Sequence, residues 1–467
     1  MSPEKYSKTG FRILFQAGGL LGLVLRAMAG DTESPVAETA PPPAPIGFTQ
    51  PAGWSFYFQN TSILQGVTDF RSPYRGDNSL TPSQSRETVT VTAFVARRLW
   101  DGGTIVINPE YAQGQGLNLA HGVAGFPNGE ATKAGSIPGK LDLERFYLSQ
   151  VFGFGGEQEE IASGKNQLAG KQDISRLTLT LGKMSASDFF DDNAYNHDPR
   201  TGFMNWSLWE SAGWDYPADA KGYVYGFVAE LNRKNWALRV GLFSVPRVAN
   251  GLAMETNLLN ASAQVVEFER RFDGVAGRPA KIRFLAYANH AHMGSYRDAL
   301  DAYLVNPSAG PANITLSRAY RWKYGAAVNL QQELTKDLGA FLRLSANNGA
   351  SESWMFTEVD RSAALGATLK GSHWGRPDDT VGLAGVVNGL SSIHGQYLAA
   401  GGSGILLGDG RLRYAPEQLV ELYYDAITPL KFANIMIGYQ FVRNPGYNSE
   451  RGPANVFSVR LHLEYPR

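Results

Sequence analysis

The alternation of apolar and polar residues in the last segment constrains the fold of this chain more than any other feature. In 457–465 every odd position is apolar and every even position is polar or charged. Successive side chains of a β-strand point to opposite faces, so this strand has one hydrocarbon face and one wet, charged face. A half-exposed soluble sheet and a membrane β-barrel both use such strands. The recurrence of the pattern and the loop lengths must decide between them.

The same alternation recurs from residue 54 to the C-terminus. Most of the alternating segments have the roughly ten residues that a tilted membrane strand needs. There are sixteen of them, and single-chain bacterial barrels have an even number of strands. The predicted strands are 54–67, 87–100, 103–113, 141–154, 174–184, 222–232, 235–245, 262–272, 280–290, 317–334, 338–348, 353–370, 379–389, 416–427, 430–443 and 454–465.

The connections between these segments alternate in length. Tight turns are predicted at 100–102, 232–234, 335–337 and 427–429. Long connections are predicted at 68–86, 114–140, 185–221, 246–261, 291–316 and 390–415. Outer-membrane barrels have short turns on one side and long loops on the other. Two connections break this alternation, because 155–173 is long on the turn side and 349–352 is short on the loop side, so we expect at least one boundary error.

Two soluble folds compete with the barrel. A β-propeller would show motifs repeating every roughly 40–50 residues, and the chain has none. A β-sandwich of this length would need two or more domains and a linker, and no linker is visible after residue 52. The sequence therefore predicts an all-β fold, a closed antiparallel transmembrane β-barrel of sixteen strands.

The N-terminus has the organisation of a secretory signal. Basic residues precede an apolar stretch at 13–25, and small residues follow it at 27–29. We expect a signal peptide over 1–29, a Pro/Ala-rich periplasmic leader over 30–52 and the barrel over 53–467. A membrane-anchoring or amphipathic N-terminal helix is the alternative. The chain has no cysteine, which excludes disulfides and thiolate metal sites.

Charge is balanced in the whole chain and on the predicted lumen faces. Lys and Arg total 43, as do Asp and Glu, which argues against a nucleic-acid partner. A lipid-facing charge near the bilayer midplane costs about 2–4 kcal/mol, so strand charges are expected inside the barrel. Such a mixed set suits a neutral polyhydroxyl solute better than ions of one sign. The alternative is that these charges pair across strands and brace the wall. The wall candidates for the pore lining are Arg98, Arg176, Glu230, Arg239, Glu267, Glu269, Arg283 and Arg343.

The loop 185–221 is too aromatic to extend into water and has no strand pattern. We therefore predict that it folds into the pore. Asp191, Asp192 and Asn205 are candidates for hydrogen bonds to sugar hydroxyls, and Trp206 is a candidate for stacking on a sugar ring. The alternative is that the aromatic residues of this loop form a small hydrophobic plug that anchors it to the wall.

Two blocks of sequence resemble a known family. The first lies within 181–225 and includes 191–195 and 197–201, and the second runs from 400 to 453. From about residue 54 to the C-terminus the chain resembles the bacterial carbohydrate-selective porin family of the OprB type. The resemblance implies an outer-membrane porin for passive, carbohydrate-preferring diffusion of mono- or small oligosaccharides into the periplasm. One departure is that the last aromatic residue, Tyr465, is followed by Pro466 and Arg467.

The resemblance also implies partners. These are small sugars, outer-membrane lipids and the barrel assembly machinery, and a homo-oligomer is possible.

A general diffusion porin, a barrel enzyme and a recognition barrel are the alternative functions. The chain has no P-loop and no nucleophile elbow, so we expect no enzyme activity and no cofactor. His290 and His292 share a strand face, where a metal pair is geometrically allowed, but we expect girdle positions and no metal site.

Overall fold

The computed structural model describes residues 49–466. The predicted signal peptide and most of the predicted leader lie outside this range, so the division at 1–29 and 30–52 stays a prediction. Sixteen strands close into one antiparallel barrel in which β1 pairs with β18. The two remaining strands, β5 and β6, pair only with each other. The predicted barrel and its strand number are confirmed.

The strands are β1 Trp54–Val67, β2 Gln84–Trp100, β3 Gly103–Gly114, β4 Ser136–Gly153, β5 Gln158–Ile161, β6 Gly170–Asp173, β7 Arg176–Met184, β8 Val224–Arg233, β9 Trp236–Phe243, β10 Ser262–Asp273, β11 Pro279–Met293, β12 Ala319–Glu333, β13 Leu338–Asn347, β14 Arg361–Gly371, β15 Arg376–Gly389, β16 Glu417–Ile427, β17 Ala433–Arg443 and β18 Ala454–Tyr465. The α-helices are α1 Ala131–Ala134, α2 Trp206–Trp209, α3 Tyr296–Val305 and α4 Ser392–Ala399. Short 3-10 helices lie at Leu117–Ala120, Ala186–Asp188, Val275–Gly277, Pro307–Ala309, Ile314–Ser317, Ser372–Trp374 and Pro445–Tyr447. Within 49–466 no helix is both long enough and apolar enough to cross a membrane.

One of the two irregular connections is a boundary error in the sequence analysis. The segment predicted to begin at 353 becomes a strand only at Arg361, so the loop before β14 runs over 348–360. The other irregularity is real, because the connection 154–175 on the turn side holds the hairpin of β5 and β6. In outer-membrane barrels the turn side faces the periplasm.

Strand parity separates the lipid face from the lumen face. In β16, Val420 and Leu422 are 44% and 45% exposed, whereas Glu421 between them is 2% exposed. The outer face has no protein neighbour, so its apolar side chains stay accessible to lipid.

The exposed rings of Tyr320 and Trp322 on β12 belong to this outer face. His290 stacks on Trp322 with ring centroids 4.6 Å apart. Such a ring cluster at a strand end is typical of the aromatic girdle of a membrane barrel.

The seam between the first and last strands closes the barrel. Phe58 lies opposite Tyr465, and the register continues without a shift to Val67 opposite Val456. Every other junction in the ring is also antiparallel, so no barrel strand has a free edge. A closed ring satisfies the backbone hydrogen bonds that hydrocarbon cannot satisfy.

A charge on the lipid face tests this arrangement. Leu365 lies mid-strand in β14 and is 56% exposed on the outer face. We expect Leu365→Arg to destabilise the barrel by about 2–4 kcal/mol, because the charge loses its hydration near the bilayer midplane. Urea unfolding in lipid vesicles measures the change. Leu365→Phe is the matched control and should leave stability nearly unaltered; equal loss in both variants would contradict the assigned face.

Candidate functional site

The long loop between β7 and β8, residues 185–223, contacts strands on the far side of the barrel. We call it the inner loop. Asn193 donates to the side-chain oxygen of Asn329 on β12 at 2.7 Å. The backbone N–H of Met204 donates to Glu421 on β16 at 2.7 Å. Because both acceptors belong to strand wall residues that face the lumen, these contacts place the loop inside the barrel.

Arg343 on β13 holds the inner loop by its backbone. Its guanidinium donates to the carbonyl oxygens of Leu208, Asn196 and Asp191 at 2.8, 2.7 and 3.1 Å. The same group lies 3.3 Å from the Asp191 carboxylate, and both side chains are 1% exposed. Three fixed carbonyl acceptors therefore set the path of the loop across the lumen.

Trp206 is the centre of an aromatic cluster that also holds the loop. Its ring stacks on Phe126 with centroids 5.7 Å apart. It also meets Trp209, Tyr216 and Phe356 at 5.2, 5.4 and 5.3 Å. Trp206 is fully buried, so neither of its ring faces is open to a solute. Asn205 is buried beside it and donates to Gln440 on β17 at 3.0 Å.

The predicted charged residues of β8 to β11 form one ladder. Arg239 contacts Glu230, Glu267 and Glu269 at 2.6, 2.8 and 3.2 Å. Arg283 continues the ladder by pairing with Glu269 at 2.8 Å and with Asp192 of the inner loop at 2.8 Å.

This ladder also reaches the backbone of the inner loop. Glu267 accepts the backbone N–H of Asp191 at 2.7 Å. These wall charges therefore pair with one another and support the loop. This arrangement corresponds to the alternative in which the charges pair across strands and brace the wall. Arg98 and Arg176 lie apart from the ladder, at the periplasmic end beside the β5–β6 hairpin.

Two adjoining cavities lie beside the inner loop. The upper chamber, about 160 Å³, is lined by residues of the loop before β4, the inner loop and the loop before β14. The lower chamber, about 480 Å³, lies between the inner loop and the turn-side ends of β12 to β16. His197 and Asp198 line both chambers, so the two chambers adjoin at these residues. None of the twelve predicted pore-lining residues lines either chamber.

The upper chamber combines both charge signs with aromatic rings. Its cations are Lys133, Arg145, Arg200 and Lys221, its anions are Glu130, Asp188 and Asp198, and its rings are Trp209, Tyr216, Tyr223 and Phe356. Arg200 is 2.8 Å from Glu130, and Arg145 binds both oxygens of Asp188 at 2.6 and 2.7 Å. Lys133 and Arg145 each lie 5.2 Å from the ring centre of Tyr223.

Two anions of this chamber, Asp198 and Glu130, keep their charge. Burial alone would raise the pKa of Asp198, but Arg200 and Lys165 hold it well below the ordinary value. Burial would likewise raise the pKa of Glu130, whereas Arg200 and Lys133 lower it. The chamber therefore presents ionised donors and acceptors that already satisfy one another.

A β-bulge carries Arg145 into the chamber. Asn108 pairs with Arg145 and Pro109 pairs with Leu143, so Glu144 has no partner residue in the ladder. Leu143 and Phe146 are 42% and 48% exposed on the lipid face, and Glu144 is 1% exposed. The extra residue sends two successive charged side chains inward.

Sequence reasoning missed most residues of the upper chamber. Lys133 lies in the short helix α1 and Lys221 in a loop, where strand parity gives no information. Tyr223 falls within the predicted strand 222–232, but the observed strand β8 begins only at Val224. Arg145 left a readable signal, because the apolar positions change from odd at Leu143 to even at Phe146. A change of parity within one strand is the sequence signature of a bulge.

Comparisons with known proteins agree with this architecture. The family model described as "Carbohydrate-selective porin, OprB family" matches residues 83–465. The high-pH structure of OprB from Pseudomonas putida is similar with a TM-score of 0.65 at 14% identity, covering 88% of this chain and 94% of that one. The outer-membrane channel DcaP of Acinetobacter baumannii gives a TM-score of 0.50 at 12% identity, covering 90% and 99%. The comparison with curated proteins gave no match.

Removal of the Arg343 side chain tests how the loop is held. Arg343→Ala removes a donor from three loop carbonyls and the cation beside the buried Asp191 carboxylate, so we expect a loss of about 3–5 kcal/mol in unfolding free energy. Single-channel conductance should rise because the loop no longer keeps its place. Arg297→Ala, at an exposed position on α3, is the control. An unaltered conductance in folded Arg343→Ala would contradict the anchoring role.

Glu210 gives the stability of the inner loop a pH dependence. Burial raises the pKa of Glu210 well above its ordinary value of 4.5, and the nearby Asp191 carboxylate raises it further. Above that ordinary value the unfolded chain releases a proton that the folded loop retains, so stability falls as pH rises. We expect Glu210→Gln to flatten this fall between about pH 5 and pH 8. Urea midpoints of both proteins at several pH values measure it, and parallel curves would refute the assignment.

Proposed function

The chain belongs to the carbohydrate-selective porin family of the OprB type, and from this premise we propose that the upper and lower chambers are its sugar path. The protein is a carbohydrate-preferring porin of the bacterial outer membrane and not an enzyme. The observation that carries the proposal is the upper chamber, where paired charges of both signs and aromatic rings line the path shared through His197 and Asp198.

We infer the preference for neutral solutes from the pairing of these charges. A sugar hydroxyl donates and accepts at once, so it can join Arg145 and Asp188 without separating them. Trp209, the most exposed of the rings of this chamber at 9%, adds apolar surface for the carbon skeleton. An ion of either sign meets a like charge within the same small space and gains less.

Chamber size supports small substrates. The upper chamber of about 160 Å³ holds roughly five water volumes. We propose that it holds one sugar ring at a time, while the larger lower chamber leads the solute to the periplasmic side. Because the lower chamber is wider than the upper chamber, a sugar that has left the upper chamber is held less tightly and can be released.

The predicted pore-lining residues take part indirectly in this proposal. Among those of the ladder and the inner loop, Asp192 is the most open, with its side chain 49% exposed beside Arg283. We propose that the ladder, Arg343, Asn205 and Trp206 shape the path by holding the inner loop. Lipids would contact the apolar outer face, and assembly machinery would read the C-terminal strand at Tyr465; a homo-oligomer stays a prediction.

A general diffusion porin is the second candidate, favoured by the balanced charge of the chain. Liposome swelling with glucose and with gluconate distinguishes the two functions, because these solutes are similar in size and differ in charge. Faster entry of glucose supports the carbohydrate preference. Equal rates would reduce the protein to a general pore.

Arg145 is the residue whose change tests the upper chamber. We expect Arg145→Ala to slow glucose entry by about threefold or more, because the bidentate donor pair is lost. Potassium chloride conductance should fall less or rise, since the narrow part widens. Arg145→Lys keeps the charge without the fork geometry and should recover only part of the sugar rate. Arg297→Ala is the control, and a proportional loss of sugar and ion flux would argue against selection by Arg145.

A further inference from the structure

The connection 154–175, here called the periplasmic hairpin, is unlike the other turns on its side of the barrel. The other turn-side connections between barrel strands span only two to five residues, for example 334–337 and 372–375. The periplasmic hairpin contains the paired strands β5 and β6. Its tip does not extend away from the barrel but contacts side chains inside it.

The tip is fixed to two lumen walls. Ser55 on β1 donates through its hydroxyl to the carbonyl oxygen of Gly164 at 2.7 Å. The side-chain amides of Asn108 on β3 and Asn166 donate to each other at 2.7 and 2.9 Å. Asn108 is fully buried and is the sixth residue of its strand from the turn side, so the tip lies well within the barrel.

Lys165 is the charged residue of the tip. Its ammonium lies 3.1 Å from Glu464 on β18 and beside the side-chain amide of Gln59 on β1. Its side chain is 28% exposed. It also lowers the pKa of Asp198, the residue that lines both chambers. The tip therefore approaches the underside of the inner loop where the solute path passes.

The base of the hairpin is held as well. Arg176 pairs with Glu159 at 2.6 Å. Asp173 accepts the backbone N–H of Gly155 at 2.6 Å and the side-chain amide of Gln158 at 2.9 Å. A hairpin bound at both base and tip has one position relative to the wall.

The lower chamber lies against a different arc of the barrel wall from this hairpin. Its wall residues belong to β12 to β16 and their turns, such as Glu333, Thr368 and Tyr423, whereas the hairpin contacts β1, β2, β3 and β18. We propose that the periplasmic hairpin is an internal plug that narrows the exit of the channel and sets its upper size limit, with Lys165 as the charge that its tip brings close to Asp198 on the solute path. This inference goes beyond the proposed sugar path, because it holds for any solute.

Shortening the hairpin tests the size limit. Deletion of 158–173 joins Glu157 to Ile174 and leaves a connection close in length to 334–337. We expect single-channel conductance in potassium chloride to rise by about twofold or more, because the cross-section of the exit grows. In liposome swelling, trisaccharides should enter faster while glucose changes little. Heat-modifiable migration on gels verifies that the barrel is folded.

A charge reversal at Lys165 tests its effect on ion selectivity without altering chain length. Lys165→Glu should shift the reversal potential in a salt gradient toward cation preference, because the charge near Asp198 on the path changes sign. Lys171→Glu is the matched control on the same hairpin, since Lys171 is 67% exposed beside Glu160 and away from the lumen contacts. It should leave the reversal potential unchanged.

The two experiments separate this inference from the proposed function. A folded deletion variant with parental conductance and parental exclusion of trisaccharides overturns the plug, whatever the sugar preference of the upper chamber. If the deletion prevents folding, the reversal potential tests the plug instead. Equal values for Lys165→Glu and Lys171→Glu overturn the proposal that the plug brings Lys165 to the solute path. Loss of glucose preference in Arg145→Ala bears only on the upper chamber.

Discussion

The pairing of β1 with β18 is the contact on which the rest of the structure depends. A strand edge in hydrocarbon would expose backbone donors and acceptors that lipid cannot satisfy, so the sheet has to close. Closure fixes which face of every strand meets lipid and which faces inward, as the register from Phe58 opposite Tyr465 demonstrates. A ring of sixteen strands is too wide to be filled by wall side chains. Chain segments other than strands must therefore narrow the lumen.

The inner loop meets this need from the extracellular side, and buried charge determines where it lies. Burying an unpaired guanidinium or carboxylate is costly, whereas a pair with further hydrogen bonds is tolerated. Arg343 satisfies its donors on loop carbonyls, and Glu421 satisfies its oxygens on loop N–H groups. Each wall charge thus becomes stable only when the loop is in place, so wall and loop specify one another. Because these wall charges are occupied by the inner loop, the side chains that line the upper chamber come from loops and from the bulge in β4.

Strand parity explains which features of the fold and of the site could be predicted from the sequence. It assigned Glu267 and Arg283 to the inner face, because a lipid-facing charge is unfavourable wherever the loop lies. Parity does not reveal whether an inward side chain reaches open space, since that depends on contacts with the inner loop, far away in sequence. The early start predicted for β14 has a similar cause. Trp354 and Phe356 gave an apolar alternation, but they are buried against the loop cluster and not against lipid.

The inner loop and the periplasmic hairpin approach each other at one place on the path. Asp198 belongs to the loop and Lys165 to the hairpin tip, and the two charges influence one another. Upstream of this place the upper chamber offers charges that are paired, which suits a neutral polyhydroxyl solute. Downstream the open space lies on the side away from the hairpin. Recognition and size limitation then belong to different segments of chain, so either property of such a barrel can change while its sixteen-stranded wall stays the same.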